Sequence, residues 1–154
     1  MTTAISDQIV RSIEIEAPRE RVWRAISTER EFAQWFGVKF LDGKFQAGAR
    51  VKLTSTHPGC GYEGMEWFLT VEKVEPPRLF SWRWSPGQTL GKGEPSTLVE
   101  FALEETKSGT LVTITESGFD RISLPHRAKA FEENTGGWEI QANALRDHIA
   151  KNPQ

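Results

Sequence analysis

The chain has 154 residues, of which 38% are hydrophobic and 26% are charged, and its formal net charge is −2. This length suits a single domain with a sizeable core, and we expect one domain over 1–154. The small, mixed charge argues against nucleic acid or an anionic membrane surface as the main partner, because both select a basic face. Six Trp and nine Phe accompany a single Tyr, so bulky rings without a hydroxyl fill a core or line an apolar pocket.

A single cysteine, Cys60, allows no disulfide within the chain, which favours an intracellular, cytoplasmic protein. The first seven residues do not have the basic segment and apolar run of a signal peptide. No apolar stretch approaches the roughly 18 residues that a membrane helix needs. We therefore expect neither secretion nor membrane insertion.

A strand and a short helix are predicted at the start of the chain. Ile13 and Ile15 alternate with polar residues within residues 9–16, which is strand spacing. Pro18 ends this strand and suits the first position of a helix over 18–26.

A second short helix is predicted from Thr28, since Glu31 follows at the spacing of a capping box. Its apolar face consists of Phe32, Trp35 and Phe36. Gly37 is a plausible end of this helix.

From Val38 to Glu116 the pattern is that of consecutive strands with short connections, which predicts an antiparallel meander. Pro76-Pro77 and Ser108-Gly109 mark turns, and residues 85–95 form a glycine-rich hairpin that suits a mobile flap. The apolar faces of these strands contain Val51, Leu53, Met65, Trp67, Leu69, Val71, Phe80, Trp82, Trp84, Val99, Phe101, Leu103, Val112 and Ile114.

A long helix is predicted from about Leu124 to Ala150, because apolar residues there step by three and four. Gly136-Gly137 lies within it and should cost about 2 kcal/mol relative to two alanines. We expect the helix to kink there or to approach another element closely. The predicted fold class is α+β, with a curved sheet of about six or seven strands wrapped around the last helix.

A resemblance is carried by several segments in their order: IEIEAPRERVWRAIST, FAQWF, GMEWFLTVEKVEPPRLFSWRW, TLVEFALEE, GTLVTITESGF and GGWEIQANALRDHI. Over about residues 9–150 the chain resembles the family of activators of heat-shock protein 90 ATPase homologues, in the START-like (SRPBCC) superfamily. The resemblance implies a helix-grip fold with a cavity between the sheet and the last helix. It fixes no activity, because such relatives include chaperone activators involved in stress response, lipid and hormone binders, and some cyclases and hydrolases.

Aromatic and neighbouring side chains on the concave face are the candidate ligand-binding residues. The functional interpretation is a cavity wall, and the alternative is a plainly packed core, although large indoles are hard to pack without voids. The candidate residues are Phe36, Met65, Trp67, Phe80, Trp82, Trp84, Phe101, Ile114, Glu116, Phe119, Phe131 and Trp138.

Glu116 continues the inward alternation of Val112 and Ile114. An inward carboxylate is costly unless it is paired or hydrogen-bonded, so it anchors a polar ligand group or binds an indole N–H. Alternatively, it faces solvent at a frayed strand end.

Arg83 alternates away from Trp82 and Trp84, and we expect it on the outer face, paired with a carboxylate of a neighbouring strand.

Metal and cofactor sites are not predicted. The three histidines, His57, His126 and His148, show no paired ligand spacing, and His57 with Cys60 supplies only two ligands. The segment GQTLGKGE differs from a phosphate loop in spacing and lacks the required Ser or Thr. We expect no metal, no cofactor and no nucleophile elbow.

Three functions remain open. The first is a carrier or sensor of a small hydrophobic molecule, acting as a monomer or weak homodimer. The second is an interaction protein that modulates a chaperone of the heat-shock protein 90 class. The third is an enzyme that uses Glu116 as general acid or base on a hydrophobic ring substrate.

Overall fold

A computed structural model describes residues 8–56, 66–84, 96–121 and 124–154. The strands are β1 (Gln8–Ile15), β2 (Val38–Asp42), β3 (Arg50–Ser55), β4 (Glu66–Glu75), β5 (Leu79–Trp84), β6 (Thr97–Glu105) and β7 (Thr110–Ser117). The helices are α1 (Arg19–Ser27), α2 (Glu29–Phe36) and α3 (Leu124–Lys151), and a short 3₁₀ turn spans Phe119–Arg121. The predicted strand, two short helices, run of strands and long helix are confirmed.

Seven strands form one antiparallel sheet in the order β1-β7-β6-β5-β4-β3-β2. Strands β2 to β7 follow one another as the predicted meander, whereas β1 joins the last strand, with Ile9 opposite Glu116 and Ile15 opposite Thr110. The two edge strands, β1 and β2, are therefore connected by the α1–α2 segment. Within the described residues, no helix is long and apolar enough to cross a membrane.

One face of the sheet is buried beneath the helices. From its middle onward, α3 buries a continuous stripe of side chains: Trp138, Ala142, Leu145 and Ile149. The backbone of α3 runs closest to β1, α1 and α2. The concave face near β5 is covered by α2 instead, since Phe32 and Phe36 both contact the Trp82 ring. This arrangement is the helix grip that the sequence predicts.

The start of α2 differs from the predicted capping box. Thr28 is the N-cap residue, but its side chain makes no capping hydrogen bond. The reason is that Glu31 faces the interior, where arginine and histidine side chains bind its carboxylate. Gly37 does end α2, with a φ of 77° in the left-handed region that glycine favours.

A buried ion cluster around Glu31 joins the three helices. Its carboxylate lies 2.9 Å from Arg21 Nη2, 3.0 Å from Arg24 Nε and 3.0 Å from His148 Nε2. Arg21 also donates to the Asn152 carbonyl from Nε at 2.9 Å and from Nη2 at 2.7 Å. The cluster therefore holds the C-terminal end of α3 against α1 and α2.

The ion cluster sets the ionisation of Glu31. Burial opposes ionisation and by itself raises the pKa of this carboxyl. Hydrogen bonds from His148 and the two arginines, together with the charge of Arg21, outweigh burial and hold the pKa of Glu31 below its ordinary value. The cluster thus favours the charged form of Glu31.

The glycine pair in α3 makes no close approach to any of the described residues. The helix runs through Gly136 and Gly137 without interruption. A Cβ built on either residue meets no heavy atom of the described residues within 4 Å. Within the described part of the chain, a small side chain at either position therefore has room.

We expect Gly136→Ala to raise the free energy of unfolding by about 1 kcal/mol, because alanine restricts the unfolded chain and favours the helix. Gly136 is exposed and its Cβ has room. Gly109→Ala is the control with the opposite sign, since its Cβ would lie 2.1 Å from the Ile15 carbonyl oxygen. Urea unfolding monitored by tryptophan fluorescence measures both, and a loss of stability in Gly136→Ala would contradict the prediction.

Candidate functional site

Glu116 lies near the end of β7 and is completely buried. Its Oε1 accepts hydrogen bonds from Trp138 Nε1 at 2.8 Å and Asn134 Nδ2 at 2.9 Å. Its Oε2 accepts from Trp84 Nε1 at 2.8 Å, from Asn134 Nδ2 at 3.1 Å and from the Thr97 hydroxyl. One carboxylate thereby links β5, β6, β7 and α3, and we call these five residues the Glu116 hub.

The chemistry of the Glu116 hub suits a carboxylate. An indole N–H and an amide NH2 can only donate, and an ionised carboxylate only accepts, with about four lone-pair sites on its two oxygens. All of these sites are engaged by neutral donors. None of the ion pairs among the described residues involves Glu116, so its charge is held by hydrogen bonds alone.

This geometry confirms one of the open alternatives for Glu116, the binding of an indole N–H, and excludes the solvent-facing strand end. It gives no support to general acid–base catalysis, because the four donor groups make five contacts and occupy the acceptor positions of both oxygens. Sequence reasoning missed Thr97 and Asn134 as partners. Asn134 could have been predicted from the sequence, since it precedes Trp138 by four residues and therefore shares its helix face.

A cluster of aromatic rings fills the concave face beside the hub. Trp82 is fully buried at its centre. The ring contacts that surround Trp82, with centroids 5.4 to 6.3 Å apart, are to Phe32, Phe36, Phe80, Trp84, Phe101 and Trp138. Phe80, Phe101 and Ile114 are as fully buried as Trp82, so this inner part of the candidate wall is closely packed.

The indole N–H of Trp82 has no hydrogen-bond partner among the described residues. Its ring meets Phe32 at 89° and Phe36 at 84°, both edge to face. The π-face of a ring is a weak acceptor for N–H groups. The Trp82 N–H is therefore a buried donor without a conventional acceptor among the described residues.

The aromatic cluster is only partly buried at one end, and we call this end the rim. Trp67 and Trp84 are half-buried there and contact each other at 5.4 Å. Phe36 lies beneath both rings, with centroid distances of 6.3 and 6.2 Å. Trp84 also belongs to the Glu116 hub, so the exposed aromatic surface and the buried carboxylate share a side chain.

On α3, a Cβ built at Gly137 meets no heavy atom of the described residues within 4 Å. This residue is half-buried, whereas Gly136 faces solvent. Gly137 directly precedes the hub residue Trp138 and follows Asn134 by three positions, which places it near the same helix face. One turn further along, Gln141 Nε2 donates to the Phe36 carbonyl at 3.0 Å, while its Oε1 is buried without a partner among the described residues.

The remaining candidate residues lie apart from this cluster. Phe119 is fully buried and its ring contacts that of half-buried Phe131 at 5.2 Å. No ring contact within the described ranges joins this pair to Trp82 or its neighbours. Met65 and the hairpin over 85–95 lie outside the described residues, as do His57 and Cys60.

Two phenylalanines of the cluster were not predicted. Phe40 and Phe45 contact each other at 5.0 Å and both contact Phe32. Phe45 follows β2 in an irregular segment, where neither strand nor helix periodicity indicates burial. A shallow surface depression of about 390 Å³ lies nearby, lined by Glu29, Arg30, Ala33, Val38, Lys39, Phe40 and Thr56.

The outer face of the sheet carries charge pairs. Arg83 Nε lies 2.9 Å from Glu72 Oε1 on the neighbouring strand, which confirms the predicted pairing. Within the described residues, no group of three or more His, Cys, Asp or Glu side chains is placed to hold a metal ion.

A curved seven-stranded antiparallel sheet that grips a C-terminal helix over an aromatic interior defines the class of START-like proteins. The sequence model of the family described as "Activator of Hsp90 ATPase homolog 1-like protein" matches residues 16–150. The chain belongs to this family, as the sequence resemblance predicts. A comparison with curated proteins gives no match.

Solved structures with the same fold cover most of the chain. MLL2253 from Mesorhizobium loti is 22% identical, with a TM-score of 0.74 over 94% of this chain and 97% of its own. The Aha1 dimer from Colwellia psychrerythraea is 18% identical, with a TM-score of 0.69 over 91% and 93%. DynU16, a protein in the dynemicin biosynthetic locus, is 24% identical, with a TM-score of 0.73 over 96% of this chain and 48% of its own.

Proposed function

We propose that the protein binds a small hydrophobic molecule between the sheet and α3, as a carrier or sensor. The observation that carries this proposal is the rim, where half-buried Trp67 and Trp84 leave ring surface partly uncovered beside the Glu116 hub. Ligand sites are typically concave and lined by aromatic side chains, with a few fixed polar groups. The Glu116 hub supplies that fixed polar element.

The way α3 packs supports this location. The backbone of α3 approaches β1 and the other helices, and the aromatic centre is covered by Phe32 and Phe36 of α2 together with the single ring of Trp138 from α3. The rings of Trp67 and Trp84 are therefore left partly uncovered by either helix. A planar ring that stacks on them buries apolar surface at about 25 cal/mol per Å².

The proposal predicts that Gly137→Leu weakens binding of the neutral fluorescent probe N-phenyl-1-naphthylamine at least about tenfold, because the new side chain adds bulk at a half-buried position next to Trp138, whose ring contacts Trp84 of the rim. Gly136→Leu is the matched control: it adds the same side chain one position away on the exposed side and should leave affinity within about twofold. Probe fluorescence during titration measures both. Equal affinities in the two variants would place the site elsewhere.

The natural ligand is sought by native mass spectrometry of the protein purified from its own organism. The expected result is a bound compound of a few hundred daltons, absent from Gly137→Leu and present in Gly136→Leu. A wild-type protein that carries no compound and binds no hydrophobic probe would remove the carrier function.

A second candidate function is modulation of an Hsp90-type ATPase. The family match and the Aha1 structure favour it, and the outer sheet face offers a specific surface. Phe68 is 42% exposed there, with the Arg50 guanidinium 3.9 Å above its ring. Exposed aromatic and arginine side chains are typical of protein interfaces.

The test is the steady-state ATP turnover of the cognate chaperone with and without the protein. Stimulation that is lost in the Arg50→Ala/Phe68→Ala double variant and retained in Gly137→Leu would assign this function to the outer face. Unchanged turnover with wild-type protein would exclude it.

A further inference from the structure

We propose that the binding site selects against negative charge and takes an uncharged or cationic aromatic ligand. The inference rests on the proposed function and specifies the chemical class of its ligand. Fatty acids and other carboxylate, sulfonate or phosphate ligands are the compounds that this site rejects.

The first reason is the uncompensated charge of Glu116. The carboxylate is completely buried, and each of its hydrogen-bond partners is neutral. No lysine or arginine among the described residues pairs with it. In surroundings made of aromatic rings, a charge is weakly screened and acts over a longer distance than in water. A second negative charge brought to the rim is therefore repelled.

The second reason is that the donors of the Glu116 hub, which borders the rim, are already used. An anionic ligand group needs N–H or O–H donors or a basic side chain. The indole N–H groups of Trp84 and Trp138 and the amide of Asn134 all point to Glu116. They cannot serve an external anion without giving up the buried carboxylate, which would then be left unsatisfied.

The third reason is the surface that remains for a ligand. At the rim the accessible groups are the rings of Trp67 and Trp84, with Phe36 behind them. Ring faces carry partial negative charge and attract cations, most strongly in the case of tryptophan. A protonated amine on an aromatic ligand thus gains from the rings and from Glu116 together.

The experiment compares two probes that differ by one charged group. N-phenyl-1-naphthylamine is uncharged, and 1-anilinonaphthalene-8-sulfonate has the same rings with a sulfonate. We expect the sulfonate to bind at least about tenfold more weakly, a difference of about 1.4 kcal/mol. Competition against bound N-phenyl-1-naphthylamine then ranks 1-naphthylmethylammonium and 1-naphthylmethanol above 1-naphthoate.

The outcomes separate this inference from the proposed function. If the neutral probe binds at the Gly137-dependent site and the sulfonate binds equally well or better, the charge selection is wrong while the ligand site stands. If no probe binds, both the charge selection and the proposed ligand site are wrong. Since hydrophobic dyes also bind partly unfolded protein, the comparison uses wild type well below its unfolding temperature, with Gly137→Leu as the site control.

The variant Glu116→Gln tests whether the charge of Glu116 causes the selection against anionic ligands. Glu116→Gln removes the charge, and the affinity ratio of the two probes should fall to within about threefold. Where this variant does not fold, Trp138→Phe provides the second measurement: it deletes one donor and keeps the carboxylate, so the wild-type ratio should be retained. Loss of discrimination in Trp138→Phe would contradict a role for the charge itself.

Discussion

Glu116→Gln is expected to lower the free energy of unfolding by about 3 kcal/mol. Glutamine replaces one accepting oxygen with an NH2 donor, and every partner of this oxygen is itself a donor. Whichever way the amide is oriented, at least one buried indole or hydroxyl hydrogen faces another donor. Because the hub joins three strands to α3, the loss should appear in the global unfolding transition in urea.

The control for this prediction is Glu104→Gln on the outer face of β6, where the side chain is exposed. It should change stability by no more than about 0.5 kcal/mol. A Glu116→Gln protein as stable as Glu104→Gln would show that the carboxylate accepts fewer hydrogen bonds in solution than the structure gives it.

Glu31→Ala is expected to cost about 3 to 5 kcal/mol. Alanine leaves Arg21, whose side chain is only 5% exposed, without its carboxylate, and it removes the partner of His148 as well. Glu31 bridges the three helices, so α3 loses the contact between His148 and this carboxylate near its C-terminal end. Glu20→Ala, at an exposed position of α1, is the control and should have little effect in urea unfolding.

The lowered pKa of Glu31 predicts how stability varies with pH. The unfolded chain titrates Glu31 near 4.5 and the folded protein at a lower pH. The unfolded state therefore binds more protons in this window, so stability is fully present above pH 4.5 and is lost as the pH falls through the folded value. The urea concentration at the unfolding midpoint, measured from pH 6 to pH 3, should decrease more steeply for wild type than for Glu31→Gln. Parallel curves would show that the cluster does not perturb this carboxyl.

Strand alternation was sufficient to predict which side chains point inward. Glu116 was placed inward because it follows Val112 and Ile114 at the period of two, and burial confirms this. Its partners were harder to predict, because Thr97 and Asn134 reach it through strand register and helix docking. Those two features depend on the whole fold and leave only weak local signals in the sequence.

Tertiary structure also decided between local alternatives. The Thr28 and Glu31 spacing indicated a capping box, but two arginines of α1 bind Glu31 more strongly than a single backbone N–H does. For the aromatic set, the pattern predicted a shared face but not how far α2 would cover it. The structure divides that set into closely packed rings around Trp82 and half-buried rings at Trp67 and Trp84.

The pairing of β1 with β7 affects the order in which the chain folds. Ile9 lies opposite Glu116, so the partner strands are separated by most of the chain. Closing so long a loop is entropically costly, and contacts of this kind slow folding. The β4–β5 and β6–β7 pairs have no such delay, because their connections, residues 76–78 and 106–109, are short. We therefore expect the tryptophan-rich strands to be ordered in the transition state and the first strand to dock afterwards.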